Sequence, residues 1–317
     1  MEKGISVVCR IRPLSEKEEH DCGRHGAAVD VIDEQSVKVH GAGEAHEFWF
    51  DAIVPMDGTQ ESVYELAAKP VVHDFLEGFN GTVFAYGQTG SGKTYTMEGE
   101  IGCQENRGIL PRMVSEIFDF MERSEEHMQF MIQVQLLEIY NERIRDLLQP
   151  DKDNLKVVGD QTRGIYVEGA TQHYITTEME VLELMALGAS HRATAETLMN
   201  QASSRSHSMF VITLEQTNTI DESRKRSKLF MVDLAGSEMV RKTGAEGSTL
   251  KEAQHINKSL SALSNVIFKL SGGHATHIPY RDSKLTQVGA ASSTSLLQAS
   301  RRCFCGGCSM RIQRTRR

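Results

Sequence analysis

The sequence predicts one α/β domain: a central, mostly parallel mixed sheet flanked by helices. Three observations carry that prediction. Short runs of β-branched residues alternate with longer stretches of helical spacing, the pattern of a wound sheet. A glycine-rich turn follows one of the most compact of these runs, and an Asp ends another. Of 317 residues, 39% are hydrophobic and 25% charged, enough apolar content for a packed core. No internal repeat or long linker divides the chain.

Ile5–Ile11 reads as the first strand, stopped by Pro13, which has no N–H to offer a ladder. Ser62–Phe79 has helical spacing and is followed by Gly81. Thr82–Tyr86 reads as a buried strand, and an uninterrupted segment of helical character follows Lys93. Met128–Tyr140 reads as a long strand, and Ser208–Thr217 and Lys228–Asp233 as two more, joined by a polar hairpin connection over 218–227. Leu250–Leu270 carries Ile256, Leu260, Leu263, Ile267 and Leu270 on one helical face and stops at Gly272-Gly273.

Charge and cysteine usage exclude several classes. Net charge is −8, but its distribution is uneven. Residues 241–287 hold seven Lys or Arg against three acids, and 288–317 hold six Arg and no acid. An acidic body with a basic later segment fits an acidic partner at a local face, because screening confines charge effects to about 8–10 Å. No apolar run approaches the ~20 residues of a membrane span, and the apolar start is too short for a signal peptide, so no membrane insertion is expected. The six cysteines fit a reducing cytoplasm. Three of them, Cys303, Cys305 and Cys308, lack the fourth ligand and the spacing of a metal site.

Three motifs carry chemistry. Gly87-Gln88-Thr89-Gly90-Ser91-Gly92-Lys93-Thr94 fits a phosphate-binding loop. Its glycines let backbone N–H groups approach phosphate oxygens, Lys93 can reach the outer phosphates, and the Thr94 hydroxyl can ligate Mg²⁺. Asp233-Leu-Ala-Gly236-Ser-Glu238 ends a hydrophobic strand, where an Asp can hold Mg²⁺ and Gly236 can present its N–H to a terminal phosphate. Asn200-Gln-Ala-Ser203-Ser204-Arg205-Ser206-His207 gathers hydroxyls, a guanidinium and an imidazole before a strand. Taken singly, each has an ordinary reading as a polar or glycine turn. Three in this order, each at a strand edge, point to a nucleotide pocket.

Together these motifs resemble the kinesin motor domain. Arg10-Ile-Arg-Pro13, Glu138-Ile-Tyr-Asn-Glu142 and His277-Ile-Pro-Tyr-Arg281-Asp-Ser-Lys284-Leu-Thr286 extend the match. The stretches Arg241-Lys242-Thr-Gly-Ala-Glu-Gly247 and Ile256-Asn257-Lys-Ser-Leu-Ser-Ala-Leu263 look most like the conventional heavy chain. The resemblance implies a microtubule-stimulated ATPase, with ATP and Mg²⁺ bound and with the microtubule as partner. It implies a cytoplasmic, cytoskeletal location and no nucleic acid. Carried over, Ser203 and Ser204 face the γ-phosphate and Mg²⁺, and Thr94, Ser204 and Asp233 form the metal set. Arg205 pairs with Glu238 when the pocket closes, and Glu238 has a proton-relay role. Arg10 and Pro13 cover adenine, with Tyr95 stacking where relatives usually carry His. Asn257 stands at the start of a relay helix. Arg163, Arg241, Lys242, Lys258, Arg281 and Lys284 make the microtubule face, with Lys251 and Lys269 as further candidates. Arg163 lies in a loop more acidic than the family leads one to expect.

The resemblance ends near Thr286. Residues 1–287 are expected to form the motor domain and 288–317 a basic, disordered tail outside the family pattern. The last core strand, which the family places beside the first strand, and the neck linker are expected to be missing, as is any means of dimerising. The alternative function is a non-catalytic microtubule binder or a defective truncated isoform. A GTPase-like switch is more remote, because Asn257-Lys258 is followed by Ser-Leu rather than by the guanine-reading pattern.

Overall fold

A computed structural model describes residues 5–16, 18–20, 28–40, 44–100, 102–160, 164–199, 203–238, 248–271 and 277–293. Its centre is a six-stranded sheet. β6 (Gly81–Ala85), β13 (Arg224–Asp233), β12 (His207–Asn218), β7 (Met128–Tyr140) and β11 (His173–Ile175) lie side by side, and β8 (Arg143–Asp146) pairs with β7. β1 (Val8–Arg10) pairs in parallel with β5 (Ala52–Val54) in a separate ribbon. Two small sheets complete the strands: β2 (Val29–Val31), β3 (Ser36–Val39) and β4 (His46–Trp49) in one, β9 (Lys156–Asp160) and β10 (Gly164–Glu168) in the other.

The alternation of side chains along each strand builds two cores. In β6, Val83 and Ala85 face one and Phe84 the other; in β13, Leu229 and Met231 oppose Phe230 and Val232. The first core is covered by three helical elements. α1 runs Gln60–Val63, passes through a π-helical turn at Tyr64–Ala68, and continues Lys69–Leu76. α3 is Ile109–Arg123 and α4 is Glu178–Met199. The second core is closed by α5 (Ser248–Ser271), through Leu260 and Leu263, and by α6 (Lys284–Ser293), through Leu285 and Val288. The central part of the sheet is thus buried between helical layers, whereas β11, β8 and the outer ends of β7 and β13 are partly exposed.

Three expectations need correcting. The sheet is mixed, but within it only β13 and β6 run parallel; β12 is antiparallel to both β7 and β13. A short connection can join only antiparallel neighbours, and the one between β12 and β13 is short. That connection is itself shorter than predicted, because Arg224–Ser227 continue the ladder opposite Leu214–Thr217. Their polarity marks a ribbon rising out of the core, not a loop. Finally, the segment after Lys93 is interrupted. α2 spans only Lys93–Met97, and Gly99, at φ 64°, turns the chain into a bridge with Arg107 before α3 begins.

Among the described residues no strand joins β1 to β6. Val8 and Val54 share a core with Val83 and Ala85, whereas Cys9, Ile11, Val37 and Ile53 form a separate third cluster. The boundary expected at 287/288 falls inside α6, whose Val288 and Ala290 are 3% exposed. Residues 294–317, with the cysteine cluster, lie outside the described residues.

Candidate nucleotide site

The site forms where β6 and β13 end side by side, Asp233 opposite Ala85. The chain leaves β6 through Gly87–Gly92 and enters α2. Gly90 and Gly92 hold φ of 76° and 87°, and a Cβ added at either would meet open space. The glycines are therefore required by backbone conformation, not by crowding, and they leave a concave surface of N–H groups ahead of α2. Lys93 lies under this turn, 9% exposed, its Nζ donating to Gly87 O and Gln88 O at 3.0 Å each. Burial lowers the affinity of its ammonium for a proton, opposed by Asp233 and Glu238. A buried ammonium held only by neutral carbonyls is a strong anion attractor.

Thr94 Oγ1 donates to Asp233 Oδ2 at 2.6 Å, while Asp233 Oδ1 is buried without a hydrogen-bond partner. Burial pushes the Asp233 carboxyl above its usual range, against the pull of Thr94, Arg192 and Lys93. A hydroxyl beside a desolvated carboxylate with an unused oxygen is a donor set that fits a hard divalent cation. The residues thus suit Mg²⁺ as well as phosphate.

The segment after Asp233 crosses to the glycine turn. Gly236 N–H donates to Ser204 O at 2.7 Å, and Ser237 N–H donates to Gly87 O at 3.2 Å. A Cβ at Gly236 would lie 2.3 Å from Glu238 Oε2 and 2.5 Å from Thr89 Oγ1, so a side chain there would displace both groups from each other. Glu238 accepts from Thr89 N–H at 3.0 Å and from Thr89 Oγ1 at 2.5 Å. Burial raises its carboxyl, but these bonds outweigh that and hold it below its usual range.

In this arrangement Thr89 holds Glu238, and the Gly236 N–H is taken by Ser204. The 203–205 turn, which carries Arg205, meets the 233–238 segment through backbone here. Ser203 is described by backbone alone.

Arg10 ends β1 and reaches α2, which follows the glycine turn. Its Nη1 donates to Gln60 Oε1 at 2.7 Å and Thr96 Oγ1 at 2.8 Å, and its Cζ lies 5.4 Å from the centre of the Tyr95 ring. The two predicted base contacts, Arg10 and Tyr95, are thus stacked on one another, and Pro13 is exposed nearby in sequence. Gln60, 4% exposed, also donates to Tyr95 O at 2.7 Å and fixes the pair.

Arg192 of α4 escaped the sequence reading. It is 8% exposed and lies 3.6 Å from Glu138 and 3.9 Å from Asp233, while its Nη2 donates to Ser206 O and Ser206 Oγ at 3.2 Å. One guanidinium thereby joins β7, β13 and the turn before β12. Nothing in the local sequence around Arg192 marks it. Arg192→Met should leave two buried carboxylates short of a cation and cost about 3–5 kcal/mol, read as a lowered urea midpoint.

His207, 3% exposed, adds a pH dependence. Burial, with Arg192 and Lys93 nearby, pushes its imidazole down to about 3. The unfolded chain takes up this proton near pH 6.5, the folded chain only near 3, so stability falls as pH drops through that window. Between pH 6.5 and 5 the loss should be about 2 kcal/mol. The raised carboxyls of Asp233 and Glu98 act in the opposite sense. Urea titrations from pH 7 to 5 should therefore show a shallower slope for His207→Asn than for the unmodified chain.

The basic candidates divide. Lys258 and Lys269 are exposed on α5. Arg281 is exposed in the turn Tyr280–Asp282, and Lys284 opens α6; both elements pack against α5. These four therefore belong to one helical layer. Arg163, Arg241 and Lys242 lie outside the described residues, as does the side chain of Lys251.

Residues 10–302 match the family described as the kinesin motor domain. The chain is 49% identical over 302 residues to kinesin-related protein 3 of Dictyostelium discoideum, covering 92% of this chain and 25% of that protein. It is 48% identical over 288 residues to the kinesin heavy chain of Drosophila melanogaster, covering 90% of this chain and 29% of that protein. A solved structure described as that of a fast kinesin superposes with a TM-score of 0.87 at 44% identity, covering 96% of this chain and 85% of that one. The chain thus spans about a quarter to a third of the length of the curated relatives it matches.

Proposed function

The chain belongs to the kinesin motor domain family, and we propose that it is an ATP-hydrolysing motor domain that converts nucleotide state into microtubule binding and movement. The observation that carries this reading is the cradle: Gly90 and Gly92 open to solvent above buried Lys93, with the Thr94–Asp233 pair beside it. A phosphate chain entering there trades the carbonyl partners of Lys93 for phosphate oxygens. Thr94 and Asp233, joined by Ser204, hold Mg²⁺, which when bound supplies positive charge to the outer phosphates.

Phosphoryl transfer asks for positioning and charge neutralisation more than for covalent chemistry. Lys93 neutralises the phosphates, and the Gly87–Gly92 N–H groups orient them. Gly236 N–H, on leaving Ser204 O, becomes a donor for the terminal phosphate. Glu238, on leaving Thr89, becomes available to Arg205 and to a proton relay from the attacking water. Arg10 and Tyr95, fixed by Gln60, present a flat surface to adenine, with Pro13 beside it. The non-catalytic alternative is not favoured, because these groups are assembled in one pocket.

The expected division at 287/288 shifts, because α6 carries Val288 into the core and the family match extends to residue 302; we assign the motor domain through α6 and the basic tail to the residues after it. The site of action is the cytoplasmic microtubule cytoskeleton. Among the described residues no helix is long and apolar enough to cross a membrane.

Lys258, Arg281 and Lys284 form the described part of the microtubule face. An acidic filament attracts this face in a salt-dependent way. Arg281→Glu with Lys284→Glu should weaken microtubule cosedimentation roughly tenfold and flatten its salt dependence. The direct test of the pocket is thermal unfolding with Mg-ADP. At a hundredfold excess over Kd, ligation should add about 2.7 kcal/mol and raise Tm by several degrees. An unshifted melt, or no cooperative melt, would refute the reading.

A further inference from the structure

His207 opens β12 with both ring nitrogens engaged. Ala235 N–H donates to Nδ1 at 3.0 Å, and Nε2 lies 2.8 Å from Ser259 Oγ on α5. Because Nδ1 accepts, the proton of the neutral ring sits on Nε2 and is donated to Ser259. Ser259 in turn donates its hydroxyl proton to Ile256 O at 2.8 Å, one helical turn back. The chain Ala235, His207, Ser259, Ile256 therefore has one direction and no spare donor. His207, Ala235 and Ser259 are 3%, 0% and 2% exposed, which leaves water poorly placed to take over a lost bond.

Both ends of this chain reach functional segments. Ala235 precedes Gly236, whose N–H rests on Ser204 O, and Glu238, which rests on Thr89 of the glycine turn. Ser259 follows Lys258, exposed on α5. A displacement of Gly236 toward a phosphate would pull on Ala235 and thus on this polar tie between the segment and α5.

We propose that His207 is a positioning residue that transmits movement of the 233–238 segment to α5 through Ser259. The inference rests on the motor reading above and adds to it the route by which the pocket addresses the helix. The sequence alone marks His207 as part of a polar motif and gives Ser259 no role.

Ser259→Ala cuts the tie and leaves every pocket group in place. Basal ATP turnover and the Mg-ADP thermal shift should stay within twofold of the unmodified chain. The kcat at saturating microtubules should fall about tenfold, and Ser259→Thr, which keeps the hydroxyl, should restore most of it. Hydrogen exchange of the α5 amides gives a readout that needs no microtubule: protection should respond to Mg-ADP in the unmodified chain and not in Ser259→Ala. Full stimulation in Ser259→Ala, or an equal fall of basal and stimulated turnover, would overturn the proposal. An unmodified chain without microtubule stimulation, but with an α5 response that Ser259→Ala abolishes, would refute the motor reading and leave this route standing.

Discussion

Lys93→Ala should abolish nucleotide retention. The ammonium is buried, bound only to Gly87 O and Gln88 O, and has no carboxylate in hydrogen-bond contact. Its charge is thus held ready for an anion in a low-dielectric setting, where one charged donor is worth about 3–4 kcal/mol, or a factor of roughly 10²–10³ in affinity. The same substitution removes the two bonds that brace the turn from inside, so the backbone cradle loosens as the charge is lost. Fluorescent Mg-ADP titration should show a rise in Kd of at least that factor, and the Mg-ADP shift in Tm should vanish. Lys93→Arg should not rescue, because a planar guanidinium cannot occupy the space of a compact ammonium between two carbonyls. Retained affinity in Lys93→Ala would mean the backbone alone holds the phosphates.

Glu238→Ala should separate binding from turnover. The hydrogen bonds of Glu238 run to Thr89 on the rim of the cradle, and it meets Lys93 only through the electrostatic field. Removing it leaves the phosphate and metal groups in place and frees one hydroxyl and one N–H at an exposed position, where water satisfies them. ATP should bind within a few-fold of normal affinity. Turnover should fall by about 10²–10⁴, the range of a lost general acid–base group. Single-turnover measurements would show the loss in the chemical step rather than in product release. Unchanged turnover would reject the assigned role. The Thr89 contact adds a second expectation: Thr89→Ala weakens the hold on Glu238 and should alter turnover far less than Glu238→Ala does.

Much of this site was legible because its chemistry is local in sequence. Gly87–Thr94 are consecutive, and the positive φ of Gly90 and Gly92 follows from residue type alone. Asp233 was placed correctly because a hydrophobic run ends on it. The long strands β7 and β12 were legible for a different reason: their central residues are buried on both faces and are rich in apolar and β-branched side chains, as in Met209–Leu214 of β12. Contacts between distant segments were not legible. Arg192 meets Glu138 and Asp233 only because α4 lies across β7 and β13, and no spacing along the chain encodes that crossing. Gln60 supports Arg10 and Tyr95 from a helix 50 residues after Arg10 in the chain. Strand direction failed for a related reason. Alternating helix and strand patterns suggest parallel crossovers across the sheet; the hairpin between β12 and β13 was the exception read correctly, and only its length was overestimated, because the polar residues Arg224–Ser227 look like loop but continue the ladder. The interruption after Met97 was hidden because Gly99 is one glycine among several, and only the approach of Asn106 O, 2.1 Å from where a Cβ would stand, reveals its need.

The central claim is that the assembled pocket belongs to an ATPase answering to a microtubule. Steady-state ATP turnover of this chain, with and without polymerised tubulin in low salt, tests it most directly. The account predicts slow basal turnover, saturable stimulation of at least tenfold, and loss of that stimulation as salt screens the α5–α6 face. Turnover that is present but indifferent to microtubules would contradict the account.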